Sequence, residues 1–196
     1  MTLYVFSGIP GSGKSTLSRA IADSFGIDLI SKDIEQVMLF EKFGFQSREE
    51  KLKLVKEADK IVEQNILQYI AADIDVVFDK YVRDESFFQE IKQKYSVRIV
   101  YIYIYADEQT ICYRYNKRGI EERPLCMDVI DKYPFIEGES HVWPPMTVER
   151  VREMLSGVKK PSCADVYEEI DSTNLTREQV TDKVKALLER MGHEEI

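Results

Sequence analysis

Short apolar runs alternate along the chain with segments of helical periodicity. A continuous apolar run of about four to eight residues is typical of a strand that is buried on both faces of a parallel sheet. Five segments are predicted to be strands, at residues 3–6, 28–31, 74–79, 97–105 and 163–170, and the last of these is less apolar than the others. Because helices separate them, the pattern predicts an α/β fold, with a three-layer α/β/α sandwich around a five-stranded parallel sheet.

Apolar residues that recur every three or four positions predict the helices between the strands. These helices are expected at residues 15–25, 47–72, 84–95, 107–118, 127–135, 148–155 and 176–191. Gly26 is expected to end the first helix. Capping boxes are predicted at residues 47–50 and 176–179, where a Ser or Thr is followed three positions later by Glu or Gln.

Two segments have no clear periodicity. Residues 38–45 contain the apolar side chains Met38, Leu39, Phe40, Phe43 and Phe45. They form either a helix that packs its apolar face on the core, which is the usual place for apolar residues, or the wall of a pocket. Residues 137–146 are expected to form a loop, whose role the sequence does not indicate.

Residues 8–15 read G-I-P-G-S-G-K-S and match the phosphate-binding P-loop pattern G-x-x-x-x-G-K-[ST], also called Walker A. A predicted strand lies directly before them and a predicted helix directly after, which is the context that this motif needs. Glycines allow several backbone N–H groups to point at one anion, and the helix N-terminus adds partial positive charge. The predicted nucleotide-binding residues here are Gly8, Pro10, Gly11, Ser12, Gly13, Lys14, Ser15 and Thr16.

The side chains of this motif predict ATP and Mg²⁺ as cofactors. Lys14 is expected to contact the β- and γ-phosphates, and the hydroxyl of Ser15 is expected to bind Mg²⁺.

The composition limits the expected partners and location. The 196 residues carry a net charge of −8, and a broad nucleic-acid footprint needs positive charge, so the composition disfavours nucleic acid without excluding a small basic pocket. Three cysteines without C-x-x-C spacing are expected to be thiols in a reducing cytoplasm. No apolar run approaches the roughly 18 residues of a membrane span, and the first strand leaves no room for a signal peptide, so we expect a cytoplasmic protein.

Two acidic residues follow predicted strands and are candidates for the chemistry. Phosphoryl transfer to an alcohol needs an acid to orient and deprotonate the hydroxyl, and Asp33 is placed for this role. Asp79 closes the third strand and is expected either to bind Mg²⁺ or to hold the acceptor. The structural alternatives are a helix N-cap for Asp33 and an Asx turn for Asp79.

A basic cluster follows the fourth strand and consists of Arg114, Lys117, Arg118 and Arg123. Guanidinium groups that close over a transferring phosphoryl group stabilise its charge, so Arg114 and Arg118 are expected to bind the nucleotide. They would belong to a lid at about residues 114–125, hinged at Gly119 and followed by a helical insertion at about 126–160. The first three basic residues have helical spacing and are expected to face one side, and the alternative is a solvated helix face.

Residues 8–16, 31–33, 78–80 and 114–119 resemble the kinase domain of phage-type 5′-polynucleotide kinases, and more broadly the AAA-type, zeta toxin-like group of small P-loop kinases. The resemblance covers about the first 135 residues. It implies that Asp33 is the general base, that Arg118 belongs to the lid over the phosphates, and that Asp79 helps to place the acceptor or the metal. The loop at residues 171–174 resembles one that lies against the adenine in small-molecule kinases of this class.

The sequence departs from that family on the acceptor side. Where the family often has an arginine three residues after the base, this chain has Gln36, and the family's Asp-Thr-Asn is here Asp79-Lys80-Tyr81. ATP use therefore carries over better than a polynucleotide substrate does. The predicted acceptor-binding residues are Asp33, Gln36, Asp79 and Arg83.

Together these motifs predict a single P-loop kinase domain over residues 1–196, with Lys14, Asp33 and Arg118 as catalytic residues. The predicted activity is transfer of the γ-phosphoryl group of ATP to a hydroxyl of a small molecule or nucleoside. Two alternatives stay open, a 5′-hydroxyl polynucleotide kinase and a nucleotide-binding regulatory or toxin-like protein without turnover. The sequence indicates neither the acceptor nor the oligomeric state.

Overall fold

A five-stranded parallel sheet forms the centre of the molecule in the computed structural model, which describes residues 1–118, 130, 132–134, 144–158 and 160–192. The strand order is β2-β3-β1-β4-β5, and every neighbouring pair is parallel. The predicted α/β fold and its five strands are confirmed. The strands are β1 Thr2–Ser7, β2 Asp28–Ser31, β3 Val76–Asp79, β4 Arg98–Tyr105 and β5 Val166–Asp171.

Seven helices are found among the described residues, and they cover both faces of the sheet. They are α1 Lys14–Phe25, α2 Lys32–Phe43, α3 Arg48–Ala72, α4 Ser86–Lys94, α5 Glu108–Lys117, α6 Val148–Ser156 and α7 Arg177–Arg190. Apolar residues of α1 and α7 pack on one face, and those of α3 and α4 pack on the other. The three-layer sandwich is therefore confirmed, whereas most of the predicted helix at 127–135 lies outside the described residues.

The central strand β1 is apolar on both faces because both faces are covered. Leu3 and Val5 belong to the core shared with α3 and α4, while Tyr4 and Phe6 belong to the core shared with α1 and α7. All four are fully buried, so this strand has no solvent-facing side and lacks the alternating pattern of a half-exposed strand.

Most of the helix-end signals act as predicted. Gly26 follows α1 with a φ of 59°, the left-handed region that glycine enters at little cost. The capping box of α7 is complete, with both reciprocal hydrogen bonds between Thr176 and Gln179. At α3 the Ser47 hydroxyl accepts from the Glu50 N–H, but the carboxylate of Glu50 accepts from the N–H one residue before Ser47.

The segment at 38–45 combines both interpretations of its sequence. Helix α2 runs to Phe43, and Phe40 and Phe45 are buried with their rings 4.7 Å apart in an edge-to-face arrangement. Met38 is 56% exposed and lines a cleft at the carboxyl edge of the sheet. One side of this segment is therefore core and the other faces a pocket. None of the helices in the described part of the chain is long and apolar enough to cross a membrane.

Candidate functional site

The P-loop connects β1 to α1 and has the backbone of an anion cradle. Gly11 and Gly13 have φ values of 92° and 94°, which other residues rarely adopt. Gly8 is in close contact with its surroundings, since a Cβ atom there would meet the Ser12 hydroxyl and the Ile104 carbonyl. Helix α1 begins after Gly13 with no side-chain cap and no acid in its first turn, so its first N–H groups are available to an anion.

Lys14 contacts the other candidate residues of the site. Its ammonium nitrogen lies 3.1 Å from the Asp79 carboxylate and 3.7 Å from that of Asp33, and it donates to the Ser15 hydroxyl at 3.1 Å. The Lys14 side chain is 10% exposed and that of Asp79 is 2% exposed. The structure thus brings together four residues that are spread over more than 60 positions of the sequence, from Lys14 to Asp79.

Asp33 is not a helix cap. Helix α2 begins at Lys32 with Ser31 as its N-cap, so Asp33 lies inside the first helical turn, and the capping alternative is wrong. Its side chain is 52% exposed, unlike that of Asp79, so it can meet a ligand that enters from solvent. The two acids are neighbours because Ser31 pairs with Asp79 in the register of β2 and β3.

The Asp79 carboxylate faces Lys14 and does not close an Asx turn within the described residues. Asp79 is the last residue of β3, a strand whose four residues are all buried. A carboxylate in such a place needs a cation, because an unpaired charge in an apolar interior is costly. Lys14 provides that cation.

Asp59, on α3, is a member of the site that the sequence analysis missed. It accepts from Lys32 at 2.8 Å and pairs with Lys80 at 2.9 Å, and these lysines adjoin Asp33 and Asp79. Partial burial acts to raise the pKa of Asp59, but the two ammonium groups outweigh it and hold that pKa below its ordinary value. Asp59 lies in the middle of a long helix, so no local motif marks it.

The candidate residues line one cleft of about 1430 Å³. Those that line it are Pro10, Gly11, Gly13, Lys14, Ser15, Thr16, Asp33, Gln36, Asp79, Arg83 and Arg118. Gly8 and Ser12 also belong to the P-loop but are buried and do not line the cleft. Gln36 is 6% exposed, and the Arg83 guanidinium lies over the Tyr81 ring, 4.8 Å from its centre.

The basic residues of α5 do not share one surface, so that expectation is wrong. The Arg114 guanidinium donates to the Ser172 hydroxyl at 2.9 Å and to the Ser172 carbonyl at 2.7 Å. Lys117 lies 5.4 Å from the centre of the Tyr113 ring, and Arg118, just beyond the helix, lines the cleft. The Gly119 hinge, Arg123 and the rest of the predicted lid lie outside the described residues.

Ser172 joins the loop after β5 to the P-loop. Its buried hydroxyl lies 3.1 Å from the Ser12 carbonyl and 2.9 Å from the Tyr105 carbonyl. Arg114 therefore positions the loop at 171–174 against the P-loop, and its contacts in this structure are with that loop.

The donor set fits Mg²⁺ held mainly by phosphate. Among the described residues no group of three or more His, Cys, Asp or Glu side chains could hold a metal ion. Mg²⁺ in nucleotide sites keeps several waters and takes one or two protein oxygens in addition to phosphate oxygens. The Ser15 hydroxyl and the Asp79 carboxylate, which both contact Lys14, supply oxygens of that kind.

Comparisons with known proteins support the fold. A family model described as "AAA domain" matches residues 3–132, about two thirds of the chain, and the chain belongs to that family. Among the curated proteins, none matches the sequence. Neither the family model nor the similar structures below support the closer resemblance to phage-type 5′-polynucleotide kinases.

Several crystal structures share the fold at low sequence identity. A candidate kinase from Chloroflexus aurantiacus J-10-fl has a TM-score of 0.72 at 17% identity, covering 94% of this chain and 97% of that chain. A gluconokinase from Sinorhizobium meliloti 1021 has a TM-score of 0.58 at 16% identity, with coverages of 97% and 92%. A shikimate kinase from Bacteroides thetaiotaomicron has a TM-score of 0.56 at 16% identity, with coverages of 97% and 98%. At these identities the likeness shows the fold, that of small P-loop kinases.

Proposed function

We propose that this protein is an ATP-dependent kinase that transfers the γ-phosphoryl group to a hydroxyl of a small molecule or nucleoside. The observation that carries the proposal is the position of Lys14 at the end of the P-loop. Its ammonium nitrogen lies 3.1 Å from the carboxylate of the buried Asp79 and 3.7 Å from that of the exposed Asp33. A nucleotide-binding protein needs the P-loop alone. A phosphotransferase also needs an accessible base beside the phosphate site, and Asp33 lies there.

In the proposed reaction, Asp33 accepts the proton of the acceptor hydroxyl. The hydroxyl oxygen then forms a bond to the γ-phosphorus, while the bond between that phosphorus and the β–γ bridging oxygen breaks and ADP leaves. Lys14 moves from the Asp79 carboxylate to the β- and γ-phosphates, and Arg118 stabilises the charge on the transferring group. Gly8, Ser12 and the other P-loop residues contribute by shaping the backbone cradle.

Mg²⁺ would be held by Ser15 and Asp79 together with the phosphates, and it would neutralise part of their charge. The departure of Lys14 towards the phosphates would leave the buried Asp79 carboxylate without its cation, and a metal ion can replace it. Asp79 is thereby assigned to the metal rather than to the acceptor, and Asp33, Gln36 and Arg83 to the acceptor.

The acceptor class in the proposal has two sources of support. Two of the similar structures are a gluconokinase and a shikimate kinase, whose names indicate small acceptors. The net charge of −8 disfavours a polynucleotide. The proposal also includes a single kinase domain over residues 1–196, a lid that starts near Arg114, and a cytoplasmic location.

A coupled assay of ADP release tests the proposal. Mg-ATP is supplied alone and then with panels of sugars, sugar acids, nucleosides and short oligonucleotides. An acceptor-dependent rise in ADP release, with stoichiometric phosphorylated product detected by mass spectrometry, is expected with a small-molecule acceptor. Tight Mg-ATP binding without acceptor-dependent release across the panels would instead favour a regulatory nucleotide-binding protein, and a response to oligonucleotides alone would favour a polynucleotide kinase.

A further inference from the structure

The charge of the cleft is opposite to that of the chain. The described residues that line it include nine lysines and arginines but five aspartates and glutamates. The whole chain has 27 basic and 35 acidic residues. A concave surface with excess positive charge attracts anions.

Several cations of the cleft are already engaged within the protein. Lys32 and Lys80 share the Asp59 carboxylate, and Lys51 donates to the Ile130 carbonyl at 2.8 Å. Three arginines that line the cleft differ from these lysines in their ion pairing. Within the described residues, no carboxylate forms an ion pair with the guanidinium groups of Arg48, Arg83 and Arg150.

Arg83 is held in a defined orientation. Its guanidinium lies 4.8 Å from the centre of the Tyr81 ring, and the Tyr81 hydroxyl donates to the Met154 carbonyl at 2.9 Å. The adjacent acid, Asp84, accepts from the backbone and hydroxyl of Ser86 at 3.0 and 2.9 Å. A guanidinium over an aromatic ring still presents the N–H groups at its edge, which can form paired hydrogen bonds to a planar or tetrahedral oxyanion.

Arg83 and Arg48 belong to the acceptor half of the cleft. Arg83 is four residues beyond the end of β3, and Arg48 is the first residue of α3. The residues proposed to contact the triphosphate, Lys14 and Arg118, come instead from α1 and the end of α5. In the sheet, β3 lies on the side of β1 away from β4 and β5, so Arg83 enters the cleft from a different strand than α1 and α5 do.

We infer that the acceptor alcohol carries an anionic group, a carboxylate or a phosphate, that is bound by Arg83 with the help of Arg48. This inference rests on the proposed function, because it names the class of the acceptor for that reaction. It places the recognised anion at the loop after β3 and the reacting hydroxyl at Asp33. Gln36, the residue of α2 assigned to the acceptor, is uncharged, so the anion would be bound by a different part of the chain.

Matched alcohols test the inference by isothermal titration with Mg²⁺ and a non-hydrolysable ATP analogue already bound, so that the P-loop cannot take up the probe. One set is glucose, gluconate and glucose 6-phosphate, and the other is uridine and uridine 3′-monophosphate. We expect measurable binding by a charged member and at least about tenfold weaker binding by its neutral partner, because hydrogen bonds to a charged group are the stronger kind. The carboxylate and phosphate arms show which oxyanion is preferred.

The variants Arg83→Gln and Arg177→Gln complete the experiment. Arg177 is exposed at the start of α7 and does not line the cleft, so it is the matched control. Arg83→Gln should weaken the charged ligands about tenfold or more and leave affinity for the ATP analogue unchanged, and Arg48→Gln should have a smaller effect. Binding of neutral members as tight as that of charged ones, an unchanged affinity in Arg83→Gln, or no binding by any charged member would overturn the inference.

Activity in the same panel separates this inference from the proposed function. Phosphorylation of neutral alcohols at least as efficient as that of charged ones would leave the kinase assignment intact and refute the anionic acceptor. Binding of charged alcohols at Arg83 without any phosphorylated product would support an anion site at Arg83 and refute the kinase assignment.

Discussion

The half of the cleft formed by β1, α1 and α5 and the half formed by β2, β3, α2 and α3 provide different kinds of groups. The first contributes backbone N–H groups, positive-φ glycines and Lys14 from one continuous segment. The second contributes the side chains of Asp33, Asp59, Asp79 and Arg83, which come from α2, α3, the end of β3 and the loop after β3. A phosphate group can be bound by backbone alone, whereas an acceptor is distinguished by side chains.

This difference predicts how variants of each half behave. Changes in the nucleotide half should alter reactions of ATP whatever the acceptor. Changes in the acceptor half, apart from Asp79, which is assigned to the metal, should leave ATP affinity nearly unchanged and lower the rate of transfer. Lys14 contacts both halves, so its variants should have the largest effect.

Lys14→Ala should lower kcat by about a thousandfold, because it removes a charge that stabilises the transferring phosphoryl group. It should also lower the Tm, since breaking a buried ion pair by removing one partner costs about 3–5 kcal/mol and Asp79 is 2% exposed. Single-turnover transfer from labelled ATP and thermal unfolding measure the two effects. The double variant Lys14→Ala/Asp79→Asn should recover much of the Tm but none of the activity, and near-normal turnover in either would contradict the P-loop assignment.

Asp33→Asn should lower kcat about a hundredfold, because the amide cannot accept the proton of the acceptor hydroxyl. ATP affinity should change little, and so should the Tm, because Ser31 rather than Asp33 occupies the N-cap of α2. Steady-state kinetics with both substrates varied separate the effects. Loss of stability with unaffected transfer would show that Asp33 has only a structural role.

The sequence predicted the nucleotide half more completely than the acceptor half for a physical reason. A P-loop is local, so its glycines, its lysine and the flanking strand and helix can all be recognised in one segment of about twenty residues. Asp59 meets Lys32 and Lys80 only because α3 packs against the ends of β2 and β3. No spacing in the sequence marks such a contact, since each partner alone is an ordinary charged residue.

The basic run after β4 shows the same limit within the nucleotide half. Its spacing predicted a shared face for Arg114 and Arg118, but the loop after β5 offers Ser172 as a partner for Arg114. That loop is more than 50 residues away in sequence. The helix ends at Lys117, and Arg118 is its C-cap with an extended backbone, so the helical spacing does not set the direction of the Arg118 side chain.

Arg118→Lys should lower kcat about tenfold and raise the KM for ATP less, because lysine keeps the charge but loses the planar fork that stabilises the transition state. Arg114→Lys is the comparison within α5. Since Arg114 holds Ser172, its change should act mainly on ATP affinity through the loop at 171–174.

Hydrogen exchange of residues 114–118 should slow on binding a Mg-ATP analogue and not on adding an acceptor alone, and equal exchange in all states would count against a lid.

Asp59→Asn should have the smallest kinetic effect, a decrease in kcat of about threefold to tenfold with unchanged affinity for ATP. Asp59 touches no proposed substrate, and it acts by holding Lys32 and Lys80, the residues beside Asp33 and Asp79. Glu57→Gln is the matched control, because Glu57 lies on the same helix and pairs with Lys60 at the exposed surface. A decrease in kcat as large in Glu57→Gln would remove the argument for a positioning role.

The pH dependence of stability provides a second measurement of Asp59. Its pKa in the folded protein lies below the ordinary value of 3.8, so folding favours the charged form. The ion pairs therefore stabilise the protein fully above about pH 4, and this stabilisation is lost as the pH falls through the lowered pKa. Acids that do not face Asp59 titrate alike in wild type and Asp59→Asn, so the difference in Tm between the two proteins reports on Asp59 and on Glu63, whose pKa is raised by burial and also by the Asp59 charge. That difference should be constant near neutral pH and shrink below about pH 4, and a difference that grows on acidification would mean that Asp59 is not held as a carboxylate by its two lysines.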